Sequence, residues 1–85
     1  MATGKVVVAD EVGLHARPAA KFVQLAKRFG SDIRVSNGER SADAKSMLAV
    51  LTLEVGQGDE VELEADGDDA EEAVRALIEL LEHEA

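Results

Sequence analysis

Eighty-five residues with 18 acidic and 9 basic side chains, a formal charge of −9 and no cysteine describe one small acidic domain, residues 1–85, with a core too modest to enclose a substrate chamber. The missing cysteine excludes a disulfide framework, a thiol nucleophile and thiolate metal ligands; the charge argues against nucleic acid, whose phosphates it would repel, and leaves a basic partner open. No apolar run approaches the roughly 18 residues of a membrane span, and Met1-Ala2-Thr3-Gly4-Lys5 lacks the basic and long apolar regions of a signal peptide, so a soluble cytoplasmic protein is expected.

Val6-Val7-Val8-Ala9 is a short β-branched run that reads as a first strand, ended by Asp10-Glu11-Val12-Gly13. The following Leu14-His15-Ala16-Arg17-Pro18-Ala19 places a histidine where extended chain gives way to an amphipathic helix. Proline is tolerated in the first turn of a helix, so Pro18 pins the helix start just after His15. Backbone N–H groups without intrahelical partners and a partial positive charge gather in that first turn, where an anion held on His15 would be stabilised. Arg17 adds a planar fork of donors suited to phosphate oxygens. The same positive end disfavours imidazolium, so a neutral ring is expected, and a neutral ring nitrogen attacking a phosphoryl donor would form a phosphoramidate. On these residues alone, a histidine that merely caps the helix fits equally well, because a lone His beside an Arg is a weak motif.

Within the helix, Phe22, Val23, Ala26 and Phe29 are expected in the core and Lys21, Gln24, Lys27 and Arg28 on another face. The basic residues of its last turns would offset the helix dipole, with Gly30 as a left-handed cap. Ile33-Arg34-Val35-Ser36 alternates, Asn37-Gly38 suits a type I′ turn, and Glu39-Arg40-Ser41-Ala42 returns, which makes a β-hairpin. Ser46 stands as N-cap before a short helical segment, Met47-Leu48-Ala49-Val50-Leu51. Gly56 and Gly58 mark a loop, and Val61-Glu62-Leu63-Glu64-Ala65 alternates strictly, as a strand with one buried and one acidic face does. A final helix opens at Gly67-Asp68, where Asp68 and Glu71 have capping-box spacing, and buries Ala70, Ala73, Val74, Leu77, Ile78 and Leu81. The order is βαββαβα, an α+β open-faced β-sandwich. Its four-stranded antiparallel sheet, order 1-4-2-3, carries three helices on one face, the order that leaves every neighbour antiparallel.

The run Gly13-Leu14-His15-Ala16-Arg17-Pro18-Ala19 resembles the active-site motif of the HPr family, the histidine-containing phosphocarriers of the bacterial phosphotransferase system. Phe22-Val23-Gln24, Ala44-Lys45-Ser46-Met47, Gly67, Ala73 and Leu77 fall at family-like spacing, so the resemblance spans nearly the whole chain. It implies that His15 accepts the phosphoryl group, that Arg17 is its phosphate partner, and that Ser46 is the site some members use for regulation by a kinase/phosphorylase. It further implies a monomeric stoichiometric carrier rather than an enzyme, needing no cofactor or metal, that takes phosphate from the phosphoenolpyruvate-dependent enzyme I and gives it to an enzyme IIA domain. An HPr-like regulatory binding module and a nitrogen-branch phosphocarrier are the alternatives. The faces around His15 and Ser46 should form one docking surface, with Ala16, Ala20, Met47, Leu48 and Leu51 as its apolar part and Arg17, Lys45 and Lys27 as its basic rim. Two departures from the family pattern stand out on that side: Glu54 occupies a place where many members have glycine, and Ala49 and Leu51 lack polar side chains that some carry.

Overall fold

The computed structural model describes residues 1–8, 16–56 and 58–83. The elements run β1 (Ala2–Val7), α1 (Ala16–Ala26), β2 (Asp32–Asn37), β3 (Arg40–Asp43), α2 (Met47–Leu51), β4 (Glu60–Asp66) and α3 (Ala70–His83). The strands form one sheet in the order β1-β4-β2-β3, with every neighbouring pair antiparallel, as the alternation and connection lengths predict.

The period-2 pattern sorts the sheet into two faces. Val6, Ile33, Val35, Ala42, Val61, Leu63 and Ala65 point inward and are buried, and they meet Ala19, Phe22, Val23 and Ala26 of α1 and Ala73, Val74, Leu77 and Leu81 of α3. Each buried residue of Val or Leu size contributes about 1.5–3 kcal/mol over leaving it in water. On the outer face the register sets Lys5 opposite Glu62 and Arg34 opposite Glu64 and Asp43, favourable cross-strand pairs, but also Asp32 opposite Asp66, two like charges.

Four local expectations are corrected. The first strand begins at Ala2, four residues before the β-branched run, because its ladder to β4 starts with Ala2 opposite Ala65. Gly4 lies inside it for want of a side chain: a Cβ there would sit 2.6 Å from Ile78 Cδ1 and 2.9 Å from Val74 Cγ1, so glycine lets α3 pack directly on β1. In the hairpin Asn37 pairs with Arg40, which makes Gly38-Glu39 the loop, and Gly38 takes φ +66° while Glu39 stays out of the left-handed region. A type I′ turn needs positive φ at both central positions, so the Asn37-Gly38 expectation fails by one residue.

At the end of α1 the helix stops at Ala26, Lys27 and Arg28 lie beyond its last turn, and Gly30 is not in the left-handed region. The expected glycine cap is therefore absent, and the basic residues stand just past the last turn rather than in it; Arg28 N donates to Leu25 O and Phe29 N to Ala26 O, tightening the exit. Phe29 is only partly buried. At the start of α3 the residue before the helix is Asp69, not Asp68, and its carboxylate serves a different segment altogether. It accepts from Gly30 N at 2.9 Å, from Ser31 N at 3.0 Å and from the Ser31 hydroxyl. Ser31 is 1 % exposed, and this carboxylate is what satisfies it. Gly67 makes room for the arrangement, since at φ +152° a Cβ would lie 2.8 Å from the Ser31 Cα.

Candidate functional site

The sequence places its candidate chemistry at the entry to α1, and α1 begins at Ala16, the residue after His15, with Pro18 in the first turn. His15 itself, and the side chains of Ala16 and Arg17, lie outside the described residues. Buried Ala19, Phe22, Val23 and Ala26 fix which way the helix turns. That leaves Lys21, Gln24 and Lys27 exposed and Ala20 partly so.

Beside α1 packs α2, a single turn and a half whose register is set by two devices. Ser46 has the extended backbone of an N-cap, φ −107° and ψ 111°, and its Oγ accepts from Ala49 N at 3.3 Å, as expected from sequence. Val50 is fully buried and anchors the other side. With Val50 inward, Leu48 is forced outward and stands 75 % exposed, while Met47 and Leu51 are partly buried. A five-residue helix is too short for periodicity to separate outward from inward leucines, so only the structure distinguishes Leu48 from Leu51. Leu48 is one of three large apolar side chains exposed among the described residues, with Met1 and Val7.

The charge around this face is one-sided. Residues 12–31 carry Arg17, Lys21, Lys27 and Arg28, four basic side chains, and no acidic one; residues 44–53 carry Lys45 and no acidic one. In a chain of net charge −9 this leaves α1 and α2 as the acid-free part of the molecule. Of the expected basic rim, Lys27 is exposed, but Lys45 is not a free surface cation: it is half-buried, and its ammonium donates to Phe29 O at 2.8 Å, just past α1. Its own N–H is held by Asp43 Oδ1 at 2.9 Å. The ammonium thus ties the approach to α2 to the exit of α1.

The departure at Glu54 has a backbone meaning. Glu54 has φ 54°, the one non-glycine residue with positive φ among the described residues, and so holds a conformation that costs a residue with a Cβ roughly 1–2 kcal/mol. The Arg40 Nη1 lies 3.8 Å from the Glu54 Oε2 and donates to Thr52 O at 3.5 Å, across the loop that follows α2. Both side chains of the ion pair are well exposed, at 62 % and 78 %, so it offsets little of the strain. Arg40 was not singled out by its sequence context; it lies on the hairpin, and only the fold brings it to this loop.

Among the described residues no group of three or more His, Cys, Asp or Glu is placed to hold a metal ion. No helix among them is long and apolar enough to cross a membrane.

The PTS-HPr family model, which describes the PTS HPr component phosphorylation site, matches residues 2–83. The chain is 48 % identical over 69 residues to the phosphocarrier protein HPr of Haemophilus influenzae, covering 81 % of each. To that of Haloferax volcanii it is 47 % identical over 78 residues, covering 89 % of this chain and 88 % of the relative. The crystal structure of HPr-C-His from Thermoanaerobacter tengcongensis superimposes with a TM-score of 0.93 at 45 % identity, over 96 % of this chain and 92 % of that one. With an acid-free helix pair, a capping serine at Ser46 and the strand order above, these matches establish that the chain belongs to the HPr family of phosphocarriers of the phosphotransferase system.

Proposed function

We propose that this chain accepts a phosphoryl group on His15 from a phosphoenolpyruvate-dependent enzyme I and passes it to an enzyme IIA domain, as a stoichiometric carrier. The observation that carries the reading is the family match over residues 2–83, which contains His15 directly before α1. In the transfer the lone pair of a neutral ring nitrogen forms the bond to phosphorus while the bond from phosphorus to the donor breaks; acceptance by the next protein reverses the roles. The unpartnered N–H groups at the start of α1 and the Arg17 guanidinium stabilise the charge that arrives with the phosphoryl group. The partners supply the rest of the transition-state stabilisation, since the carrier needs only to present and release the group.

Docking falls to the acid-free face. Leu48, Met47, Leu51, Ala16 and Ala20 form its apolar part, and Arg17 and Lys27 its charge, which suits a partner with an apolar recess rimmed by carboxylates. Ser46 lies within the same face, so a phosphate there, adding about −1.5 to −2 charge, would repel that rim and serve as a regulatory brake under a kinase/phosphorylase.

Incubation with enzyme I and labelled phosphoenolpyruvate tests the reading. Acid-labile, base-stable label on the chain, chased off by an enzyme IIA domain, is the expected outcome; a chain that never takes label would be a binding module and would sink the carrier assignment.

A further inference from the structure

The peptide group between Phe29 and Gly30 is gripped from both sides by charge. Its carbonyl accepts from the Lys45 ammonium at 2.8 Å, and its N–H donates to Asp69 Oδ2 at 2.9 Å. A cation on the oxygen and an anion on the N–H polarise the amide in the same direction, so each hydrogen bond strengthens the other. The three parts flank the three helices. Lys45 precedes the N-cap of α2, Asp69 directly precedes α3, and the peptide lies in the exit of α1.

We propose that this amide is a coupling element and Lys45 a positioning residue, through which negative charge at Ser46 reaches the exit of α1, the helix whose entry carries His15. The inference rests on the reading of Ser46 as a regulatory position and His15 as the phosphoryl acceptor. Ser46 is the next residue after Lys45, Cα atoms of such neighbours are about 3.8 Å apart, and a lysine side chain is long enough to turn back to it. The Phe29 carbonyl offers the ammonium only a dipole, whereas a phosphate or carboxylate at position 46 offers full charge, so the ammonium moves to the anion. Asp43 does not substitute for it: its carboxylate faces the Lys45 N–H, and its carbonyl accepts from Ser46 N at 3.0 Å. Once Lys45 leaves, the Phe29 carbonyl loses its cation, the Gly30 N–H is less polarised, and its bond to Asp69 weakens. The change is transmitted without any contact between Ser46 and Gly30.

The Gly30 amide reports this directly in two-dimensional NMR and hydrogen exchange of the whole chain, with the Leu63 amide of β4 as the reference for global opening. Ser46→Asp should shift the Gly30 proton upfield and speed its exchange by less than about fivefold, the ratio that loss of a whole hydrogen bond would set, while Leu63 is unmoved. Lys45→Met should reproduce the shift by itself, Lys45→Arg should keep the wild-type position, and Ser46→Asp added to Lys45→Met should move Gly30 no further. A Gly30 amide unmoved in Ser46→Asp overturns the proposal, as does a further shift in the double variant. If Lys45→Met fails to fold, the single Ser46→Asp variant and the Lys45→Arg/Ser46→Asp pair decide it alone: an unmoved Gly30 amide overturns the coupling. Should the amide move while transfer from enzyme I is unaffected by Ser46→Asp, the coupling stands and the regulatory reading of Ser46 is what fails.

Discussion

Residues 12–31 and residues 59–72 are opposite in charge, and both also supply the core. The first stretch has four basic side chains and no acid; the second has Asp59, Glu60, Glu62, Glu64, Asp66, Asp68, Asp69, Glu71 and Glu72, nine acids and no base. In the acidic stretch Val61, Leu63, Ala65 and Ala70 are all buried, and Asp69 is turned onto Ser31 to hold two segments together. Beside the basic stretch, Leu48 stands in solvent. The difference teaches that charge density alone does not mark a working surface. An exposed apolar side chain beside charge of one sign does not mark it either, since Val7 is 53 % exposed opposite Glu60 of the acidic stretch; the docking role of the Leu48 face is the proposal made above.

The comparison breaks if changes at exposed residues of the helix pair alter stability, or changes on the acidic side alter transfer. The largest effect is expected from His15→Ala, which should abolish labelling from phosphoenolpyruvate and leave the melting temperature unchanged; wild-type labelling in that variant would displace the site from α1 altogether. Next comes Asp69→Ala, which strands the buried Ser31 hydroxyl and two backbone N–H groups and should lower the melting temperature more than any other single carboxylate removal, with labelling intact at a temperature where the variant is folded. The Ser31 hydroxyl first, then the Gly30 N–H, hold the Asp69 carboxyl below its ordinary value of 3.8. A depressed pKa adds stability that is complete above the unfolded-state value and lost as pH falls through the lower folded value. Wild type should therefore keep this contribution down to about pH 3.8 and shed it below, whereas Asp69→Ala lacks it at every pH; parallel acid-unfolding curves for the two would refute the tie.

A smaller effect is expected at Leu48. Being 75 % exposed, it should tolerate Leu48→Ala within about 0.5 kcal/mol of stability, yet transfer efficiency should fall roughly fivefold to thirtyfold, the range of a 1–2 kcal/mol loss at an interface centre. Smallest is Glu54→Gly, which relieves left-handed strain at φ 54° and gives back part of it as unfolded-chain entropy, for a net gain of about 0.5 kcal/mol seen as a small rise in denaturant midpoint. A loss of stability there would mean that the exposed ion pair with Arg40 outweighs the backbone.

How far these features were legible in the sequence follows from the reach of the interactions behind them. The Ser46 cap was readable because its acceptor and donor are three residues apart, Ser46 Oγ and Ala49 N. Strand order was readable because alternation names the inward side chains and chirality limits the connections. The sequence pointed to Asp68 where the residue before α3 is Asp69, and the role of Asp69 was not legible because its partners, Gly30 and Ser31, lie 39 and 38 residues away. The Lys45 tie was not legible for the same reason: its acceptor, Phe29 O, is 16 residues back in a turn that no pattern marks as an acceptor. The start of β1 escaped because Thr3-Gly4-Lys5 has little strand propensity, and a distant helix is what requires Gly4. The run at His15 was legible only through its family resemblance, since the residues alone fit a capping histidine equally well.

The strand order has a consequence for how the chain comes off the ribosome. β1 pairs only with β4, and β2 gains its second neighbour only from β4, so the β2–β3 hairpin is the one part of the sheet that can close before residues 60–66 have been made. Until then the first strand is a bare edge, and the inner faces of β1 and β2 have no covering from α3. The sheet is thus completed only when the last strand slots between the first two, and non-local pairing of this kind slows folding relative to a helical bundle of the same size.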